Sequence, residues 1–180
     1  FAAHGTRANP WKDFATLERA VAWLPGLLNG PRVVLLAIGQ AGETRQLEGA
    51  ELRMLPFERD RARLADYYRA ADVYLHATRA DNSPIVVIEA LACGTPVVAS
   101  AVGGIPELVD AGQTGWLAPV GDAEALARQT ARLLLDSSMR AGFSRAALGR
   151  AARDFDVERQ IQQYLDWFAE LAVARSAMPH

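Results

Sequence analysis

The chain has 180 residues, 51% of them hydrophobic and 22% charged, with a net charge of -2. That length suits one domain able to bury about 70% of its unfolded surface. The balance excludes a disordered chain, offers no bulk basicity for nucleic acid, and contains no apolar run near the ~20 residues of a membrane span.

A single cysteine cannot form an internal disulfide, which fits a reducing compartment. Three histidines and one cysteine without clustered spacing argue against a zinc site. The first residue is Phe1, inside what already reads as a strand, so an excised domain is expected.

In chain order, Phe1 to His4 reads as a strand leading into Gly5-Thr6-Arg7. Asp13 or a neighbour then opens a helix with Phe14, Leu17, Val21 and Leu24 on one face, which Pro25, Gly26 and the Asn29-Gly30-Pro31 cluster are expected to end. Val33 to Ile38 is a continuous apolar run, the sign of a strand buried on both faces of a parallel sheet. Gly39 and Gly42 mark a loop, and Leu52 to Leu55 is a shorter strand followed by Pro56 and Phe57.

Asp60 can cap a helix whose core face is Leu64, Tyr67, Tyr68 and Ala71, after which Val73 to Ala77 is strand again. Pro96 to Ser100 and Trp116-Leu117 are further strands, separated by a Gly103-Gly104 turn and a short helix. Asp122 caps a helix burying Leu126, Thr130, Leu133 and Leu134. The tail from Met139 to Ala174 is helical, restarting at Asp156, with Ile161, Tyr164, Leu165, Phe168 and Leu171 in one stripe. This alternation predicts an α/β fold: a doubly wound, Rossmann-like parallel sheet of about six strands with helices on both faces. Ligands on such sheets bind at the carboxyl ends of strands, where Gly5, Gly39 and Asp81 fall.

Chemistry concentrates in the run Asp81 to Gly94, D-N-S-P-I-V-V-I-E-A-L-A-C-G. Ser83 suits an N-cap and Pro84 the first helical position, which leaves the N–H groups of Ile85 and Val86 as a backbone seat for phosphate. Asp81 precedes that helix and Glu89 lies within it, with seven residues between them. A phosphate flanked by hydroxyl groups fits this arrangement, as in a nucleotide sugar. The same pattern also occurs in ordinary capped helices that bind nothing.

Arg7 and Lys12 follow the first strand and can reach the same strand-end cleft. Two cations facing a helix N-terminus would neutralise a diphosphate without a metal, Arg bidentately and Lys as a point charge. Taken alone, they read better as a solvated surface pair. Cys93 and His76 read as core residues.

The run from Ala71 to Val109, A-D-V-Y-L-H-A-T-R-A-D-N-S-P-I-V-V-I-E-A-L-A-C-G-T-P-V-V-A-S-A-V-G-G-I-P-E-L-V, with G-Q-T-G-W-L-A-P-V-G-D-A-E-A-L after it, resembles the C-terminal, donor-binding domain of retaining GT-B glycosyltransferases of family four, the group 1 enzymes. The resemblance runs from Gly5 to about Leu171 and takes residues 1–180 as one nucleotide-sugar-binding domain.

By position, it implies that Arg7 and Lys12 bind the donor diphosphate, that Asp81 contacts the transferred sugar, and that Glu89 takes the ribose hydroxyls. Ile85 and Val86 match the amides over the phosphates, and Gly5 the loop glycine beneath the donor. Asn82, Ser83 and Pro84 complete the loop, while Pro56 and Phe57 fall where a base would rest. The sequence departs from the family in having Asp81 rather than Glu as first acid, and Asn82-Ser83 in place of a glycine and an aromatic.

The resemblance further implies a UDP- or GDP-sugar donor, no tightly bound cofactor, no metal, and transfer with retention to a glycan, lipid or small molecule, as in polysaccharide biosynthesis. Acceptor groups would lie on an N-terminal domain absent from this chain, so the chain should bind donor without turnover. It implies a cytoplasmic location, at the inner face of the membrane if anywhere near one, with membrane contact only in the full-length protein. The final helix would pack on the missing domain, and exposed here it would invite self-association.

Two other functions fit the same fold. One is a non-catalytic nucleotide-binding or interaction module, against which the joint presence of Arg7, Lys12, Asp81 and Glu89 argues. The other is a different GT-B enzyme, such as a nucleotide-sugar epimerase or a pyridoxal phosphate phosphorylase. The latter needs a buried Schiff-base lysine, and Lys12 is the only lysine.

Overall fold

The structure, a computed structural model, describes residues 9–30 and 33–176, with side chains as far as 172. The expected first strand, with Gly5 and Arg7, lies outside the described residues.

Asp13 caps helix α1 (Phe14–Leu28), its carboxylate accepting from the Thr16 N–H. The buried face carries Phe14, Leu17, Val21, Leu24 and Leu28. Of the expected stop signals, Asn29 marks the end of this helix, while Pro25 and Gly26 sit inside it. A mid-helix proline forfeits one backbone hydrogen bond. Here Leu24 and Leu28 lie one turn apart on the buried face, and their burial offsets that loss. Asn29 ends the helix in the left-handed region (φ 47), its N–H bonding to the Pro25 carbonyl.

Strand β1 (Val33–Ile38) pairs in parallel with β3 (Ala50–Leu55), and β2 (Arg45–Leu47) pairs with β3 antiparallel. The hairpin between β2 and β3 was not expected. Its two-residue turn, Glu48-Gly49, has positive φ at both positions (46 and 97), as a type I′ turn requires, and a Glu at such a position hides the signal.

A second sheet is all parallel, in the order β4 (Tyr74–His76), β5 (Val97–Ser100), β6 (Gly115–Ala118). The described strands thus form two three-stranded sheets, with β2 the one antiparallel member.

Side chains alternate across these strands, so neighbours serve opposite faces. On one face Leu75 and Val98 join α1 and α5 (Ala123–Leu135), with Leu17, Leu24, Leu126 and Leu133 buried around them. On the other face Tyr74, Val97 and Ala99 meet α3 (Ile85–Ala92) and α6 (Ser137–Asp154), with Val87, Leu91 and Ala147. Helices therefore cover both faces, as the alternation of elements predicted.

Helix α2 (Arg61–Ala70) is capped by Asp60, and of its expected core face only Tyr68 is fully buried. Helix α4 (Ile105–Leu108) is a single turn. Helix α7 (Val157–Ser176) starts after Asp156, which caps it by accepting from the Arg159 N–H. Its apolar stripe is exposed, Leu165 by 56% and Phe168 by 55%. Among the described residues no helix is long and apolar enough to cross a membrane.

Candidate functional site

The site grows from the end of β4. Beyond His76 the backbone of residues 77–79 is stitched to residues 11–13: the Asp13 N–H bonds to the Ala77 carbonyl (3.2 Å), and the Arg79 N–H to the Trp11 carbonyl (2.8 Å). Thr78 Oγ1 donates to the same Trp11 carbonyl at 2.7 Å, and Lys12 and Thr78 form an antiparallel bridge. These bonds set Lys12 against the loop after β4. Its Nζ lies 2.6 Å from Asp81 Oδ2, with both side chains mostly buried.

Residues separated by 69 positions in sequence thus become an ion pair. His76 Nε2 approaches the same carboxylate oxygen at 3.5 Å. His76 and then Lys12 hold the Asp81 carboxyl down to about 2, against partial burial, which acts to raise it. Burial in turn lowers the proton affinity of His76 itself.

The loop carrying Asp81 rests on Gly103 and Gly104. The Gly104 N–H donates to the Asp81 carbonyl at 3.2 Å. A Cβ at Gly103 would fall 2.1 Å from the Asp81 carbonyl oxygen, and one at Gly104 would fall 1.9 Å from that of Asn82. Only a residue without a side chain permits this approach. In the sequence both glycines read as serving their own turn. The structure makes them the floor of the Asp81 loop.

Helix α3 begins one residue later than expected. Pro84, in extended conformation (ψ 106), occupies the cap position, and Ser83 is exposed and does not cap. The first intrahelical bond runs from the Val87 N–H to the Pro84 carbonyl (2.9 Å), so the N–H groups of Ile85 and Val86 precede it. Glu89 is half-buried further along the helix, where Tyr68 Oη donates to its Oε2 at 3.0 Å. Burial first, then Tyr74 and Glu89, drives the Tyr68 hydroxyl pKa upward, so it remains a donor.

The structure therefore gathers Lys12 and Asp81 into direct contact and sets Asn82 to Val86 and Glu89 on the following loop and helix. Pro56 and Phe57 are exposed on the segment that follows β3. Three residues near the site carry no functional signal in the sequence. Tyr68 and His76 were read as core, and both do sit in the core, yet each turns its polar atom onto a site acid. Arg79 was not singled out. It pairs with Asp13 at 3.1 Å and lines, with Lys12, an opening of about 290 Å³.

A larger apolar cavity of about 620 Å³ lies among α1, β1 and α2, and none of Lys12, Asp81 or Glu89 lines it. Among the described residues no group of three or more His, Cys, Asp or Glu side chains could hold a metal ion. Cys93, at the end of α3, is partly rather than fully buried, and burial raises its thiol pKa.

Residues 4–150 match the family described as glycosyl transferases group 1. The chain is 48% identical over 157 residues to a D-inositol 3-phosphate glycosyltransferase of Mycobacteroides abscessus, covering 81% of this chain and 34% of that protein. A protein of the same name from Saccharomonospora viridis is 38% identical over 188 residues, covering 96% of this chain and 43% of its own length.

Among solved structures, Anabaena HepE in complex with UDP superposes with a TM-score of 0.78 at 27% identity, over 94% of this chain and 48% of that one. Sucrose-phosphate synthase from Thermosynechococcus elongatus gives a TM-score of 0.78 at 30% identity, over 92% and 44%. The chain spans less than half the length of each of these proteins. The structural neighbours are GT-B glycosyltransferases, in keeping with the α/β architecture and its parallel strands. The chain belongs to the group 1 glycosyltransferases.

Proposed function

We propose that the chain is the donor-binding, C-terminal domain of a retaining glycosyltransferase that takes a sugar from a nucleoside diphosphate. The observation that carries this reading is the pairing of Lys12 with Asp81 beside the start of α3, with Glu89 held by Tyr68 in the same helix. In it Lys12, with Arg7, neutralises the diphosphate, and the N–H groups of Ile85 and Val86 supply further donors. Asp81 takes a hydroxyl of the transferred sugar, and Glu89 takes the ribose hydroxyls. The complex of the Anabaena relative with UDP supports uracil as the base, with GDP as the alternative.

Chemistry then follows from electrostatics. Charge accumulates on the β-phosphate as the glycosidic bond breaks, and cations fixed beforehand at that position lower the barrier. Retention follows when the departing phosphate accepts the acceptor proton on the same face of the sugar. No metal is required in this scheme. The acceptor binds an N-terminal domain outside this chain, so the chain alone binds donor in the cytoplasm without turnover.

The test is calorimetric titration of UDP, GDP and ADP into the chain with EDTA present, alongside Glu89→Ala. One nucleotide should bind, and Glu89→Ala should weaken it about tenfold or more, since a hydrogen bond to a charged acceptor contributes roughly 1.5–3 kcal/mol. Binding of none of the three, or equal binding by the variant, refutes the assignment.

A further inference from the structure

Strand β4 ends in a histidine that packing does not require. Tyr74, Leu75 and His76 are all buried, and His76 has no exposed surface. An aliphatic side chain would fill that place without desolvating a polar ring, so the imidazole must recover its hydrogen bonds inside. Among the described residues, two polar groups lie beside the ring. Tyr74 Oη lies 3.4 Å from Nδ1, with the two rings stacked at 6.1 Å, and Asp81 Oδ2 lies 3.5 Å from Nε2.

The partners determine the tautomer. A neutral imidazole has one N–H and one lone pair, and an ionised carboxylate can only accept. The carboxylate at 3.5 Å thus assigns the proton to Nε2, which leaves Nδ1 to accept from the Tyr74 hydroxyl. Both Lys12 and His76 address the same oxygen, Oδ2, so Oδ1 keeps its accepting capacity.

Resting on the function proposed above, we infer that His76 is a positioning residue that keeps Asp81 aimed at the transferred sugar when Lys12 turns to the diphosphate. Lys12 has a flexible four-carbon stem and one point charge to share between carboxylate and phosphate. His76 sits on a strand hydrogen-bonded to β5 and cannot follow a ligand. With the shorter Asp in place of Glu at position 81, the carboxylate stays close to β4, within reach of that ring. The sequence could not announce this role, because a histidine in an apolar strand reads as core.

Two measurements test it. The first uses no donor: two-bond nitrogen-15 correlation spectra of the His76 ring, one of only three histidines in the chain, at neutral pH. The Nε2–H tautomer is expected, and the Nδ1–H tautomer would overturn the inference.

The second compares His76→Leu and His76→Gln with the unaltered chain in binding UDP, GDP and ADP and their glucose conjugates by calorimetry. His76→Leu should keep its affinity for the nucleoside diphosphate and lose about tenfold for the glucose conjugate, while His76→Gln, which retains a donor near the Nε2 position, should stay near the unaltered value. Equal loss for both ligands, or no loss for the conjugate, would overturn the role of His76. Failure of the unaltered chain to bind any of the three nucleotides would instead overturn the proposed function, with the tautomer spectrum still deciding the contact with Asp81.

Discussion

Gly104→Ala would test the floor of the Asp81 loop directly. The added methyl carbon would lie 1.9 Å from the Asn82 carbonyl oxygen and 3.0 Å from its carbon. A carbon and a carbonyl oxygen need more than ~3 Å between them, so one backbone must retreat by over ~1 Å. That retreat breaks the hydrogen bond from Gly104 to the Asp81 carbonyl and shifts the carboxylate that Lys12 holds. The expected cost is about 2–4 kcal/mol of folding free energy, in the range of overpacking plus one lost hydrogen bond.

Urea denaturation gives the number, and nucleotide titration on the folded fraction reads the displaced site. Gly149→Ala is the internal control. Gly149 lies on an exposed turn of α6 with nothing within 4 Å of an added Cβ. There the same substitution should stabilise by about 0.5–1 kcal/mol, because alanine loses less chain entropy in a helix. Equal urea midpoints for Gly104→Ala and the unaltered chain would refute the close approach between the two loops.

Acidification supplies a second prediction. The Asp81 carboxyl is depressed from 3.8 to about 2, so the unfolded chain binds the proton more readily in that interval. The stability that Asp81 contributes is therefore complete above about pH 4 and disappears as pH falls through about 2, a slope that Asp81→Asn should remove from urea midpoints measured against pH. Tyr68→Phe deletes the donor to Glu89 while leaving the ring against Tyr74, at 5.5 Å edge to face. Nucleotide affinity by calorimetry should fall about three- to tenfold, in line with 0.5–1.5 kcal/mol for one hydrogen bond. In α7, Leu165→Glu and Phe168→Glu replace exposed residues, so urea denaturation should find folding free energies changed by less than about 0.5 kcal/mol.

Much of the fold was legible because its signals are local. Asp13, Asp60, Asp122 and Asp156 each precede an amphipathic run, and each accepts a hydrogen bond from the first turn of its helix. Val33 to Ile38 announced its strand by apolar continuity. The failures were places where a local rule lost to packing, as at Pro25, or where an unusual residue took a special position, as Glu48 does in the β2–β3 turn.

The composition of the candidate site was equally readable in Lys12, Asp81, Glu89 and the proline-headed helix between the acids, because short-range spacing places loop, cap and helix face. How those residues address one another was not. The 2.6 Å pair between Lys12 and Asp81 depends on backbone bonds joining residues 11–13 to 77–79. The turn of Tyr68 onto Glu89 and of His76 onto Asp81 depends on which strand neighbours which helix. Sequence specifies secondary structure through interactions a few residues long, and so determined the elements and their caps. Only chain crossing in three dimensions decides where a buried phenol or imidazole finds its acceptor, and here it turned two apparent core residues into supports for the site's two acids.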